Sequence, residues 1–81
     1  MNTFYQIQGS EATLRKVAAC LISNRCEFYF DAMTCHIEWI CNGLYNDFDL
    51  EALRAAVPSR GWSVLSQFET SSNMITEFYR K

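Results

Sequence analysis

Apolar residues recur along this chain at two spacings, and the switches between them mark its elements. Thr3–Gln8 has strand character and Gly9 ends it. Ser10 follows as a helix N-cap, because its hydroxyl can accept a backbone N–H left free in the first turn. Leu14, Val17, Ala18, Leu21 and Ile22 then fall at helical spacing, which leaves Arg15 and Lys16 largely off the apolar stripe; Asn24 and Arg25 close the helix. From Cys26 the period changes to two. Cys26, Phe28, Phe30 and Ala32 alternate with Glu27, Tyr29 and Asp31, and Cys35, Ile37, Trp39 and Cys41 alternate with His36, Glu38 and Ile40.

Only Met33 and Thr34 separate these two runs, so the pattern predicts a β-hairpin. Met-Thr is poor chemistry for a two-residue primed turn, and a four-residue loop from Asp31 to Thr34 serves the same hairpin. Asn42-Gly43 breaks it. Asp47 or Asp49 then caps a second helix with Leu50, Leu53 and Val57 on its stripe, stopped by Pro58 and Gly61. Trp62–Phe68 resumes strand character with Trp62, Val64 and Phe68 in phase, and Glu69–Asn73 turns the chain into a last strand-like stretch, Met74–Tyr79.

The order β-α-β-β-α-β-β predicts an α+β fold. Its first six elements match the ferredoxin-like split β-α-β-β-α-β arrangement, an antiparallel sheet with two helices on one face; the seventh adds a C-terminal edge strand. The 81 residues are read as a single domain over 1–81. A hydrophobic fraction of 49%, with 15% aromatic, is ample for a packed interior and speaks against a disordered chain. The first residues carry no basic region leading into a long apolar stretch, and no apolar run approaches the ~20 residues of a spanning helix. A soluble, cytoplasmic protein with no membrane partner is therefore expected.

This topology converts the alternation into a surface map. Helices covering Phe28, Phe30, Ile37, Trp39, Trp62 and Val64 leave an open face with Phe4, Gln6, Glu27, Tyr29, Asp31, His36, Glu38, Ile40, Leu65 and Gln67. Charge sharpens the map. The net charge is only -2, yet from Cys26 to Leu53 there is no Lys or Arg, while Glu27, Asp31, Glu38, Asp47, Asp49 and Glu51 all fall there. Arg15, Lys16 and Arg54 lie on the helices, so the two sides of the sheet are expected to differ in sign. RNA-recognition domains of this architecture stack bases on open-sheet aromatics, a part Tyr29 and Phe4 can imitate. Glu27, Asp31 and Glu38 stand where phosphates would approach, so direct nucleic-acid binding is not expected.

Other chemistry is sparse. Cys20, Cys26, Cys35 and Cys41 contain no C-x-x-C pair, so a zinc site is not read; they are expected as small buried hydrophobes. With a two-residue turn, Cys26 falls opposite Cys41, and a strained cross-strand disulfide can be drawn there, although cytosolic thiols normally stay reduced. His36, the only histidine, falls opposite Asp31 and two residues from Glu38. No activated nucleophile or phosphate loop accompanies it in the sequence, so it reads as a surface pair before a general acid or base. Asp47, Asp49 and Glu51 are ordinary company for a helix N-terminus and lack the glycine and later glutamate of a calcium loop.

The expectation is a non-enzymatic protein-binding module without cofactor or metal. Its acidic and aromatic face would meet a basic protein surface through Glu27, Tyr29, Asp31, Glu38, Asp47 and Asp49. If that surface normally grips nucleic acid, the module acts as an inhibitor. In size and general charge the chain is similar to small acidic phage proteins that block host defences, anti-CRISPR proteins among them; the likeness rests on no motif and implies only this mode of action. Two alternatives stand beside it. One is a homodimer that buries Phe4, Ile40 and Leu65 between subunits. The other is a small enzyme or metal protein built on His36 and the cysteines.

Overall fold

The computed structural model describes residues 2–42 and 46–69. Strand β1 (Asn2–Gly9) leads into helix α1 (Glu11–Ser23), followed by β2 (Glu27–Asp31), β3 (His36–Asn42), helix α2 (Leu50–Ala56) and β4 (Trp62–Glu69). The four strands form one sheet in the order β2-β3-β1-β4, and each neighbouring pair is antiparallel. The molecule is thus α+β, with an antiparallel sheet and two helices, and is compatible with the ferredoxin-like class. The expected strand over 74–79 lies outside the described residues.

Local chemistry accounts for the helix boundaries. Ser10 has extended backbone, and its Oγ accepts from the Thr13 N–H at 3.2 Å, as expected of an N-cap. At the far end the Asn24 Nδ2 donates to the Cys20 carbonyl at 2.8 Å, and Arg25 takes a positive φ of 59° that turns the chain into β2. For α2 the cap is Asp49 and not Asp47: its Oδ1 accepts from the Ala52 N–H at 2.9 Å. Val57 ends this helix, and the Trp62 indole N–H donates to the Pro58 carbonyl at 3.0 Å, tying the start of β4 to the exit of α2.

Both helices pack on the same face. Leu14, Val17, Ala18 and Leu21 from α1 and Leu50 and Leu53 from α2 join Tyr5, Ile7, Ile37, Trp39 and Trp62 in one buried cluster, with Phe28, Phe30 and Val64 packed against it. Ile22 is a correction. It is 65% exposed, because the α1 stripe ends at Leu21 and the next position has already rotated past the sheet. At the head of α1, the backbones of β1 and β4 approach so closely that a Cβ on Gly9 would run into the Gly61 carbonyl, which accepts from the Ser10 N–H at 3.2 Å.

Two features of register matter for function. The hairpin pairs Asp31 with His36, Tyr29 with Glu38 and Glu27 with Ile40. That is the register of the tighter turn, although the strands part at Asp31 and His36, so the connection is Ala32–Cys35. Ala32 and Cys35 therefore leave the strands to which alternation assigned them, and Cys35 takes a positive φ of 56°. The second feature is a β-bulge. Ile7 pairs with Val64 but Gln6 pairs with Ser66, so Leu65 is inserted and the alternation of β4 reverses. Trp62 and Val64 keep the core face as expected. Phe68 does not; it pairs with Phe4 and stacks on it with ring centroids 4.9 Å apart, while Gln67 moves to the Tyr5 side.

Candidate functional site

The face opposite the helices is laid out in rows by the strand register. One row runs Glu27–Ile40–Phe4–Phe68 across β2, β3, β1 and β4, and the next runs Tyr29–Glu38–Gln6–Ser66. A third begins Asp31–His36–Gln8 and reaches Ser63 beyond the bulge. Side-chain bonds follow the rows: the Ser66 hydroxyl donates to Gln6 Oε1 at 3.3 Å, and Gln8 Nε2 donates to the Ser63 hydroxyl at 3.5 Å. The face is therefore graded: its first row is apolar from Ile40 through Phe4 to Phe68 with Glu27 at the β2 end, and the other two are acidic or amide-bearing.

The acidic rows are concave. Gln6, Tyr29, Asp31, Thr34, His36 and Glu38 line a notch of about 220 Å³. Asp31 is fixed at its rim by the hairpin turn, where Oδ1 accepts from the backbone N–H of Met33 at 3.0 Å and of Thr34 at 3.4 Å. Tyr29 is 41% exposed, and Glu27 is exposed on the same strand. None of the four strands carries a Lys or Arg. The helix side is mixed rather than simply basic: Arg15 and Lys16 on α1 and Arg54 on α2 stand among Glu11, Asp49 and Glu51. Arg15 bonds Glu11 at 3.1 Å, and its guanidinium carbon lies 6.0 Å from the Phe30 ring centroid.

Four of the six residues expected to meet a partner thus come together: Glu27, Tyr29, Asp31 and Glu38. Asp47 and Asp49 do not join them. Asp47 lies in the connection leading to α2, and Asp49 is engaged as the cap of that helix, on the core side where its charge acts on Tyr5 and Cys41. Residues the alternation placed on this face but gave no part in binding, Gln6 and His36, turn out to be notch walls. The apolar row was legible only in part. Phe4 and Ile40 are 8% and 6% exposed, so they form a small buried cluster of their own where open positions were expected, and Phe68 was hidden by the bulge.

The cysteines gather elsewhere. Cys20, Cys26 and Cys41 are half-buried rather than enclosed, and all are free thiols. Burial pushes the Cys26 thiol up to about 11, reinforced by the neighbouring Cys41 and Cys20; burial also raises Cys20 and Cys41. Asn46 Nδ2 lies 3.6 Å from Cys26 Sγ, and the Cys41 thiol donates to the Phe48 carbonyl at 3.4 Å. The buried Trp39 indole N–H has no oxygen or nitrogen acceptor in hydrogen-bond geometry, but it stands close enough to the Cys26 sulfur to favour the thiolate slightly. Thiols held protonated in this way are weaker nucleophiles at neutral pH than an unperturbed cysteine. Among the described residues no group of three His, Cys, Asp or Glu is arranged to hold a metal ion, and no helix is long and apolar enough to cross a membrane.

No protein-family model, curated protein or solved structure matches the chain.

Proposed function

We propose that this protein is a non-enzymatic binding module whose β2–β3–β1 face meets a basic surface on another protein. The observation that carries this reading is the placement of Glu27, Asp31 and Glu38 around Tyr29 on one sheet face, on strands without a single Lys or Arg. Such a field draws a positively charged partner into encounter and repels nucleic acid, while an aromatic ring at its centre supplies contact area once the partner has docked. Where the partner's surface itself grips nucleic acid, occupation by this domain blocks that grip.

The dimer reading needs Phe4, Ile40 and Leu65 to gain burial between two copies. Phe4 and Ile40 are already nearly closed from solvent, which leaves Leu65, 48% exposed, as the one of the three with substantial surface to bury.

The test is a salt-graded pulldown with the purified domain, followed by binding kinetics on the captured protein for wild type and for the Glu27→Lys, Asp31→Lys, Glu38→Lys triple variant. Wild-type association should slow as salt rises, and the triple variant should associate far more slowly while remaining folded, its melt lowered only by loss of the turn contacts of Asp31. A folded triple variant that binds as wild type does removes the acidic face from the account.

A further inference from the structure

On the core side of the same hairpin, away from Glu27, Tyr29 and Glu38, we infer that Cys26 and Cys41 form a dithiol that closes reversibly to a disulfide. The exchange partner is a small-molecule disulfide of the oxidised-glutathione class. The strand register sets up the pair. Glu27 pairs with Ile40, so one step outward Cys26 falls opposite Cys41, at the open end of the hairpin. The ladder stops there: Cys26 lies outside β2, and its backbone N–H bonds the Leu21 carbonyl at 2.9 Å. Facing residues of antiparallel strands stand roughly 4.5–5.5 Å apart at Cα, within the roughly 4.4–6.8 Å that a disulfide spans. Both side chains pack against the main buried cluster, and neither is closed from solvent, so they share a face that a small disulfide can reach. Cys35 stands apart in the hairpin turn, where its thiol donates to the Ala32 carbonyl at 3.6 Å.

The surroundings are built around sulfur. The Trp39 indole N–H is buried without an oxygen or nitrogen to bond and addresses the Cys26 sulfur, as does Asn46 Nδ2 at 3.6 Å. A disulfide sulfur remains an acceptor, so oxidation leaves these donors satisfied. The Cys41 thiol differs, because it donates to the Phe48 carbonyl at 3.4 Å and loses that bond with its proton. Redox state is thereby coupled to the segment 46–48, where Asn46 also bonds the Asn24 carbonyl and the Phe48 N–H, each at 2.9 Å. The step balances. One thiolate of the pair attacks the small disulfide, forms a mixed disulfide and expels a small thiolate; the second cysteine, deprotonated by solvent, attacks the protein sulfur of that bond and expels the other. Two cysteine thiols are oxidised, one small disulfide is reduced to two thiols, and two protons pass from the former to the latter. Burial holds both cysteines protonated at neutral pH, so the first attack is slow there and quickens as pH rises, while the second is intramolecular.

The experiment incubates the whole protein with oxidised glutathione at pH 7, 8 and 9 without oxygen, then quenches with acid, alkylates free thiols and maps peptides by mass spectrometry without reduction. No Lys or Arg separates Cys26 from Cys41, so chymotrypsin must cut beside trypsin. The expected product is a single chain two hydrogens lighter, with Cys26 joined to Cys41, Cys20 and Cys35 alkylated, and all four alkylated after dithiothreitol. Its rate of formation should rise roughly tenfold per pH unit, because both thiols titrate above 9.0. Cys41→Ser should stop at a glutathione adduct, and Cys20→Ser should close the Cys26–Cys41 bond as wild type does; the wild-type map decides the matter alone if either variant fails to fold. Cys26 joined to Cys20, bonds only between molecules, adducts that never close, or a protein still reduced at pH 9 each overturn the inference. None of these outcomes bears on the acidic face, which the salt-graded pulldown tests separately.

Discussion

Trp39 and Ile40 are consecutive in β3 and both nearly closed from solvent, yet their surroundings have little in common. Trp39 looks toward the helices, tilted against Tyr5 at 5.1 Å and Phe48 at 6.1 Å, inside the cluster that holds α1, α2 and three strands together. Ile40 looks the other way and, among the described residues, shares its buried cluster only with Phe4. Beyond that pair the second face turns polar within one row, at Glu38 and Gln6. One face spends its side chains on cohesion. The other keeps a small apolar footing beneath a concave, acidic surface, and the comparison teaches that a single alternating strand can serve both ends because its successive residues never share an environment.

The comparison breaks most visibly at its centre. Trp39→Ala should lower unfolding free energy by about 3–5 kcal/mol, as expected for emptying a fully buried aromatic site, and urea denaturation followed by tyrosine fluorescence or far-UV CD measures it. Ile40→Ala should cost less, about 2 kcal/mol, because its cluster is small and the site can relax. Equal losses at the two positions would mean that the second face is as much a core as the first. A double-mutant cycle on Phe4→Leu and Phe68→Leu should return a coupling of roughly 0.5–1.5 kcal/mol, the range for stacked rings, and a coupling near zero would deny the bulge its effect. Glu27→Lys and Glu38→Lys should each move stability by about 0.5 kcal/mol or less, whereas Asp31→Lys also removes the oxygen that accepts from the Met33 and Thr34 N–H groups and should cost about 1 kcal/mol.

The last prediction is a slope rather than a step. Burial favours the neutral thiol, so folded Cys26 keeps its proton up to about 11, whereas the unfolded chain releases it near 9.0. The folded state therefore binds more protons across that window, and stability that is fully present below pH 9.0 is lost as pH rises through about 11. The loss should be shallower in Cys26→Ala than in the wild type when melts are compared at pH 8, 9, 10 and 11.

Much of this was legible from residue order. The period of two from Cys26 to Cys41 announced the hairpin, and Ser10, Asn24 and Arg25 announced the limits of α1, because capping and turn chemistry are local. The acidic group around Tyr29 was also legible, since a hairpin register follows from its turn and fixes every cross-strand pair at once. What escaped depends on contacts distant in sequence. Leu65 carries no mark of a bulge; its insertion is decided by how β4 meets β1, some sixty residues away. Ile40 likewise pairs with Phe4, thirty-six residues away, and shares its buried cluster, while Asp47 and Asp49 were grouped with Glu27, Asp31 and Glu38 by charge alone, which says nothing of where a helix start is carried.

The bulge has a consequence for how this chain can vary. Before Leu65, β4 is read in one frame and after it in the other, so the strand's meaning depends on a residue count as well as on residue types. Exchanging Leu65 for another side chain leaves the count intact. Removing it makes the ladder continuous and still leaves Ser66 opposite Gln6, Gln67 opposite Tyr5 and Phe68 opposite Phe4, because the residue taken out is the unpaired one. Descendants of this sequence are therefore free to lose this position altogether, whereas a single-codon deletion at a paired position beyond it, such as Gln67, carries Phe68 to the opposite face.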